Sequence, residues 1–435
     1  MIITNLKYKS DYMLSKAGLT LDFPTTQNLE TDLHVRDYLR WACEYIIDYL
    51  GSRNIKAIVL SGSLALGEGS VIIESDGRVK LLSDIDIVIV VNKNFLTKKD
   101  GREPHGFFRE KNNELNSALN SAAPQELLSP IDTVIWTHEE IKNWWKTPRI
   151  VTLQHGGSAR IIWGDKDILS ATFIFSQSDI TDQDIFKLFN NRIAEQIFYL
   201  VKYKKGLESP ECFVFHSAKA AVDTVLAVCF AKKCFKNGLL ERLNIFKELC
   251  LEDQLGLDMV EWAEFWTKFK ITPNLSKILK RFNTEDLETA ALKAWNEVAD
   301  FILKALQWVA KNRLGIDEER TESLVMRLIK CLDTPCSEDL FTNELLKKKL
   351  PIPEESRKKK LSALGSPRAL MYAAAILLLA ANGEKGDEKI KFLKIISNIL
   401  PVIKPFQITN VSQWWWNLAE ETSHLWNILI MDGKQ

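Results

Sequence analysis

The sequence has no excess of charge of either sign. Its 435 residues include 57 Lys and Arg against 57 Asp and Glu, so the formal net charge is zero. Proteins that mainly hold a long nucleic acid usually carry a basic excess, because neutralising phosphates dominates that affinity. A long nucleic acid is therefore not expected as the partner, and a small molecule or a protein is favoured.

The most apolar run of the sequence is too short to cross a bilayer, which takes roughly 20 residues. This run, Ala369–Ala381, predicts a buried helix and no membrane partner. Residues 1–10 are polar and mixed, without the basic and apolar regions of a signal peptide. These features lead us to expect a cytoplasmic protein.

The seven cysteines include no C-x-x-C pair. Cys229 and Cys234 have four residues between them, as do Cys331 and Cys336, and no histidine pair follows at the spacing of a zinc site. This pattern favours buried free thiols in a reducing compartment over a metal site or a disulfide framework.

Residues 1–175 have the pattern of an α/β region. Apolar residues at helical spacing over Leu33–Leu50 predict a helix that ends at Gly51. A hairpin is predicted over Ser70–Leu82, with its turn at Ser75-Asp76-Gly77. Four further runs predict strands, in chain order IKAIVLSGS, DIDIVIVV, PIDTVIWT and SARIIWG. HEEIKNWWK predicts a short helix, and the stretch from Arg149 to His155 is interpreted as strand-like.

From Thr181 onward the pattern is helical. Residues 176–345 predict an α-helical domain, and residues 346–435 predict a C-terminal helical segment that can belong to the same bundle. The charged, proline-interrupted stretch Leu346–Pro367 is the best candidate for an exposed connector. The expected fold class is α+β, with a mixed central sheet flanked by helices and then a large all-α region.

Two acids, Asp84 and Asp86, begin a predicted strand. Side chains alternate across a strand, so both carboxylates are expected on one face, while Ile85 and Ile87 face the core. Adjacent like charges are costly unless a cation lies between them. Mg2+ suits such a pair, because it prefers hard oxygen ligands and often binds through one or two carboxylates plus substrate phosphates.

The pair Gly62-Ser63 lies between a predicted strand and a predicted helix start. Backbone N–H groups and a small hydroxyl there can bind phosphate oxygens, and glycine lets the backbone approach a phosphate closely. Glu68 and Ser70 follow shortly after, and either a phosphate-site role or a helix-surface role is open for them. The turn and the paired acids together predict a site for a metal–triphosphate.

These residues resemble the signature of the polymerase-beta-type nucleotidyltransferase superfamily, which has a Gly-Ser turn, a helix, an Asp-x-Asp strand and a third acid. The matching residues are Gly62-Ser63, Asp84-Ile85-Asp86 and Asp132, although Asp132 can also be read as a strand-entry residue. The resemblance covers Leu33–Asp167. It departs from the family pattern at Leu64–Ser83, which is longer than usual because of the predicted hairpin, whose tip can line or cover the substrate pocket.

The resemblance implies a nucleotidyltransferase head and a reaction that moves a nucleoside monophosphate to a hydroxyl. The expected donor is a nucleoside triphosphate, ATP first, and the acceptor is an unidentified small molecule or protein. Two Mg2+ ions, or alternatively Mn2+, are implied as cofactors. Asp84 and Asp86 would contact both ions, while Asp132 would bind the nucleophile-side ion and accept the hydroxyl proton.

Family members commonly close the site with basic residues from the helical part. Candidates here are Arg192, Lys202 and Lys219, and Lys219 is preferred because its helix is otherwise small and apolar. A solvated or salt-bridged helix residue is the alternative for each.

Two other functions stay open. One is a synthase that joins nucleotides into a cyclic or linear second messenger, and the other is a nucleotide-binding regulator without turnover. The oligomeric state is also open.

Overall fold

The computed structural model describes residues 18–74, 76–92, 95, 104–169, 175–252, 256–318, 320–332, 367–400 and 410–431. Ser75 and residues 346–366 of the predicted connector lie outside them. The chain divides into two compact units. Unit 1 contains the described residues up to Ile180 together with Lys236–Glu241 and Lys268–Pro273, and unit 2 contains the rest.

Unit 1 contains a mixed four-stranded sheet and a separate hairpin. The strands are β1 Ile55–Ser61, β2 Val71–Ile73, β3 Val79–Leu81, β4 Ile85–Val91, β5 Ile131–Thr137 and β6 Arg160–Gly164. The strand order is β5-β4-β1-β6, with β1 antiparallel to both neighbours and β4 parallel to β5. The predicted strands, the hairpin and the α+β class are therefore confirmed.

The two faces of this sheet are covered by different helices. A short helix, α2 (Gly62–Ala65), directly follows β1. The back face carries Ile85 and Ile87, which are buried against α1 (Leu29–Leu50) and α3 (Pro104–Ala122). The front face carries Val59 and Val90, which are buried against α4 (His138–Trp145) and the residues that follow it.

Local sequence explains where the unit 1 helices begin and end. Asn28 accepts the N–H of Glu30 at the start of α1, and Gly51 ends this helix at a φ of 81°. Thr137 and Glu140 form a capping box at the start of α4.

The interpretation of Arg149–His155 as strand-like is wrong. Residues Ile150–Ser158 form a helix, α5, because the buried side chains of Ile150 and Thr152 hold it in the fold. Its β-branched residues and glycines favour other conformations, so tertiary contacts decide its structure.

The hairpin β2–β3 packs on the side of the back face. The Tyr38 hydroxyl of α1 donates to the Val79 carbonyl over 3.0 Å, and Leu81 is buried in the back-face core. Burial, with smaller effects from nearby acids, raises the pKa of Tyr38 to about 12, so this hydroxyl stays protonated as a donor at neutral pH.

The chain after Ile180 is helical. The helices are α6 Asp182–Lys204, α7 Pro210–Ala231, α8 Leu239–Glu252, α9 Leu257–Ile271, α10 Leu275–Arg281, α11 Leu287–Leu314, α12 Thr321–Leu332, α13 Pro367–Gly383, α14 Gly386–Ile399 and α15 Val411–Trp426. Thr181 caps the start of α6, where its side chain accepts the Asp184 N–H, and Gly315 ends α11 at a φ of 64°. The run Ala369–Ala381 lies in α13 and is largely buried, as expected.

Helix α7 lies at the centre of unit 2. It is long and apolar enough to cross a membrane by length and composition, but 83% of its most apolar window is buried inside the fold. It packs mainly against α6 and α11. A mostly buried core helix passes the same test of length and composition, so α7 is weak evidence for a membrane span.

Candidate functional site

The three predicted acids lie along one end of the sheet. Asp86 on β4 pairs in register with Asp132 on the parallel strand β5, and Ser61 on β1 pairs with Asp86 from the other side. Residues paired in this way point to the same face, here the front face, and neighbouring strands lie about 4.8 Å apart. Asp84 lies just before β4, two residues from Asp86. Asp132 is exposed, whereas Asp84 and Asp86 are half-buried.

Position 62 requires glycine because its backbone lies very close to the carboxylate of Asp86. Its φ is 72°, and a Cβ at this position would lie 2.5 Å from Oδ2 of Asp86. Its N–H donates to Ser158 Oγ over 3.1 Å, so in this structure that amide is bonded to protein. The neighbour that excludes a side chain at this position is the Asp86 carboxylate. A role for Gly62 in the close approach of a phosphate stays a prediction.

Three serines and one lysine form a connected cluster that includes the second residue of the Gly-Ser turn. Ser63 Oγ donates to Ser83 Oγ over 3.2 Å, and Ser83 Oγ also accepts the Ser70 N–H over 2.9 Å. The Lys270 ammonium donates to Ser70 Oγ at 2.7 Å and to Ser83 Oγ at 3.3 Å. Lys270 belongs to the segment Lys268–Pro273 of unit 1.

This serine–lysine cluster brings a positive charge to the turn. Lys270 is only 6% exposed, and a buried ammonium needs acceptors such as these hydroxyls. Ser83 directly precedes Asp84, so the cluster and the acids are adjacent along the chain. A cation with several hydroxyls beside a glycine turn is chemically suited to contact phosphate oxygens.

Helix α5 holds the residue before the turn. His155 Nδ1 and Ser61 Oγ are hydrogen-bonded at 2.8 Å, while Ser158 of the same helix accepts the Gly62 N–H. The Trp144 ring contacts the edge of the His155 ring, with their centroids 6.4 Å apart. One helix therefore binds both the Ser61 hydroxyl and the Gly62 N–H.

The structure gives Glu68 and Ser70 different roles. The carboxylate of Glu68 is buried and accepts the Leu239 N–H over 2.7 Å, at the first residue of α8. This contact satisfies one of the amides that a helix start leaves without an intrahelical partner. Ser70 joins the serine–lysine cluster at the base of the hairpin, so neither residue has the helix-surface role.

The basic candidates of the helical part lie in unit 2, where they take part in charge interactions. Arg192 Nε pairs with Asp223 at 2.6 Å and Lys202 pairs with Glu208 at 3.0 Å. Burial by itself raises the pKa of Glu195, but the positive charges of Arg192 and Lys219 outweigh it, so the pKa of Glu195 ends below its ordinary value. A nucleotide-binding role for Lys219 stays a prediction.

The donors at this end of the sheet are those that a hard divalent metal prefers. Asp84, Asp86 and Asp132 offer carboxylate oxygens, which suit Mg2+ and Mn2+. In the part of the chain that the structure describes, no three His, Cys, Asp or Glu side chains converge closely enough to hold a metal ion. Because Mg2+ often binds through one or two carboxylates together with substrate phosphates, the acids fit a site shared with a phosphate ligand rather than a closed protein cage.

No protein-family model matches this chain, and no curated protein matches it in sequence. The resemblance to nucleotidyltransferases is therefore carried by the Gly62-Ser63 turn, the Asp84-x-Asp86 strand and Asp132.

Sequence reasoning missed three residues at this site, His155, Ser158 and Lys270. Helix α5 was not predicted, so nothing placed His155 and Ser158 beside the turn. Lys270 lies 187 residues beyond Ser83, on a helix with one other lysine, Lys268. The one available signal was a lysine among the apolar residues Phe269 and Ile271.

Proposed function

We propose that this chain is a metal-dependent nucleotidyltransferase that moves a nucleoside monophosphate, with AMP from ATP as the first choice, to a hydroxyl group. One observation carries the proposal. Asp86 and Asp132 are paired in register on parallel strands, beside a glycine turn where a Cβ on Gly62 would lie 2.5 Å from the Asp86 carboxylate. Paired carboxylates can bind the metal ions of a metal–triphosphate. The hydroxyls and the lysine beside the turn can bind its phosphates.

The residues of the chain divide the work. Asp84 and Asp86 would hold Mg2+ or Mn2+, which when bound supplies Lewis acidity towards the phosphate and the acceptor hydroxyl. Asp132, which is exposed, would accept the proton of the incoming hydroxyl. Ser63 and Lys270 would contact the phosphates at the turn, and the bond between His155 and Ser61 would keep that turn in position.

The body of the hairpin packs away from the acids, against α1 and the back-face core. Only its base, at Ser70 and Ser83, reaches the serine–lysine cluster. In the proposed enzyme the hairpin therefore orders the phosphate turn, and its tip is not needed to line the acceptor pocket.

The test incubates the purified chain with each of the four labelled ribonucleoside triphosphates and Mg2+ or Mn2+. Asp86→Asn, which keeps the size of the side chain and removes its charge, is the matched control. Transfer of label to protein or to an added metabolite, with pyrophosphate release, supports the proposal. Labelled oligonucleotides without an added acceptor would instead identify a messenger synthase. If the chain binds a nucleotide tightly but forms no product with either Mg2+ or Mn2+, the proposed transfer reaction is contradicted and a regulatory protein is favoured.

A further inference from the structure

Helix α7 ends in a hydrogen-bonded cap that brings two cysteines together. The Cys234 N–H donates to the Cys229 carbonyl over 3.0 Å, and the Lys233 N–H donates to the Phe230 carbonyl over 3.0 Å. Lys233 has a φ of 57°, in the left-handed region. These are the two bonds and the left-handed residue of a Schellman motif, in which the side chains at the positions of Cys229 and Cys234 come into contact.

The two thiols of this cap differ in exposure. Cys229 is fully buried, while Cys234 is half-buried, and neither is in a disulfide. The Cys234 thiol donates to the Cys229 carbonyl oxygen over 3.4 Å. Cys234 is therefore the more accessible residue of a neighbouring pair.

The surroundings keep this pair in place. Phe235, the residue after Cys234, stacks on Phe230 with ring centroids 4.4 Å apart. The Arg242 guanidinium lies over the Phe235 ring at 5.7 Å. These contacts hold the chain after the cap against the helix. Disulfide formation between the two cysteines would therefore cost little further conformational entropy.

The surroundings of the half-buried Cys234 thiol favour its thiolate. The neighbouring Cys229 thiol, and then the positive charge of Lys232, lower the pKa of Cys234. The ammonium of Lys232 is positioned over the Trp308 ring at 5.1 Å. The neighbouring Cys234 thiol, together with burial, raises the pKa of Cys229, which stays a thiol.

We propose that Cys234 is a peroxide-reactive thiol and that Cys229 is its resolving partner, so that the end of α7 is a site of reversible disulfide formation. This inference does not rest on the proposed nucleotidyl transfer. It requires only the Schellman contact, the greater accessibility of Cys234 and the adjacent cation. The alternative is that Cys229 and Cys234 are unreactive thiols that only pack in the core.

The chemistry balances with hydrogen peroxide as the oxidant. The Cys234 thiolate attacks one peroxide oxygen, which forms a sulfenic acid and releases hydroxide, protonated to water. The Cys229 thiol then attacks the Cys234 sulfur, its proton leaves with the sulfenic hydroxyl as a second water, and the S–S bond forms. Two thiols lose two electrons in total, and one peroxide becomes two waters.

The test treats the full chain with a small excess of hydrogen peroxide, alkylates the remaining thiols and maps the peptides by mass spectrometry. The expected product is a Cys229–Cys234 disulfide, formed ahead of oxidation at the other five of the seven cysteines and reversed by dithiothreitol. Cys234→Ser should slow the oxidation of this segment by about tenfold or more, because the attacking thiolate is gone. Cys229→Ser should leave oxidation at Cys234 but stop it at the sulfenic acid or a later oxide.

Matched controls separate reactivity from unfolding. Cys212→Ser replaces a buried thiol on the same helix whose pKa burial raises to about 11, and it should leave the disulfide yield unchanged. Thermal unfolding of each variant shows whether the fold is kept. Slow, even oxidation of all cysteines in the folded wild type would overturn the proposal. So would a disulfide from Cys234 to Cys250 in place of Cys229.

Discussion

The two faces of the central sheet carry different side chains, although the same strands contribute to both. At one end of the sheet the back face is apolar and the front face is polar. On β4, Ile85 and Ile87 point to the back face and are buried in the larger core of unit 1. Asp86, between them, points to the front face, where its in-register partners are Ser61 and Asp132. One face of a strand can therefore be devoted to packing while the alternate residues carry chemistry.

The difference also runs along the front face itself. Its far part is apolar, with Val59 and Val90 buried against α4. The end that carries Asp86 and Asp132 is polar, and beside it α5 binds Ser61 through His155 and accepts the Gly62 N–H at Ser158. The proposed chemistry is thus confined to one end of one face.

The largest effect is expected from substitutions on β4. Asp86→Ala should lower nucleotidyl transfer by about a hundredfold or more, because several kcal/mol of metal-based stabilisation is lost. Its free energy of unfolding should change little or rise, since carboxylate repulsion is relieved. Urea unfolding and the rate per folded molecule measure the two effects.

Ile87→Ala is the matched variant on the opposite face of the same strand. Ile87 is 1% exposed, so this change should cost roughly 2–5 kcal/mol of unfolding free energy. Molecules that stay folded should keep their transfer rate. If Asp86→Ala unfolded the protein, or if Ile87→Ala kept full stability, the division between the two faces would be wrong.

A smaller effect is expected at the serine–lysine cluster. Lys270→Met keeps the length of the buried side chain and removes its charge and its bonds to Ser70 and Ser83. Triphosphate affinity should fall by about tenfold, the loss of one charge-assisted hydrogen bond. Lys268→Met, two residues away and exposed, is the control and should leave the affinity unchanged. Equal affinities for both variants would remove Lys270 from the site.

The smallest effect is expected at the bond between α5 and the turn. His155→Leu removes the hydrogen bond to Ser61 and should raise the KM for the nucleotide by about fivefold, since such a bond contributes about 1 kcal/mol. His155→Asn places a polar atom near the position of Nδ1 and should recover most of the loss. A general packing role for His155 predicts instead that both variants lose thermal stability and that neither changes the KM.

Sequence alone predicts the strands of unit 1 well, for a physical reason. Runs such as IVLS and IDIVIVV combine β-branched residues with burial on both faces, which few other structures satisfy. The alternation of side chains along such a strand is also enough to predict that Asp84 and Asp86 share one face.

Helix α5 and Lys270 show where that logic ends. Residues Ile150–Thr152 are β-branched and Gly156-Gly157 follows, so local propensity opposes the helix that tertiary packing imposes. Nothing local to Lys270 indicates contact with serines almost 200 residues earlier, because only the fold brings them together. The sequence predicts a glycine turn at Gly62. The closeness of Gly62 to the Asp86 carboxylate cannot be predicted in this way, because it depends on the register of β1 with β4.

Calorimetric titration with α,β-methylene-ATP, which binds without being turned over, tests the central claim most directly. It compares the wild type with Mg2+, the wild type with EDTA, and Asp86→Asn with Mg2+. If the front-face acids hold a metal–triphosphate, the wild type binds with Mg2+, and each of the other two conditions weakens binding by about tenfold or more, a loss of at least about 1.4 kcal/mol. Equal affinity under all three conditions, or no binding by the folded wild type, would contradict the account.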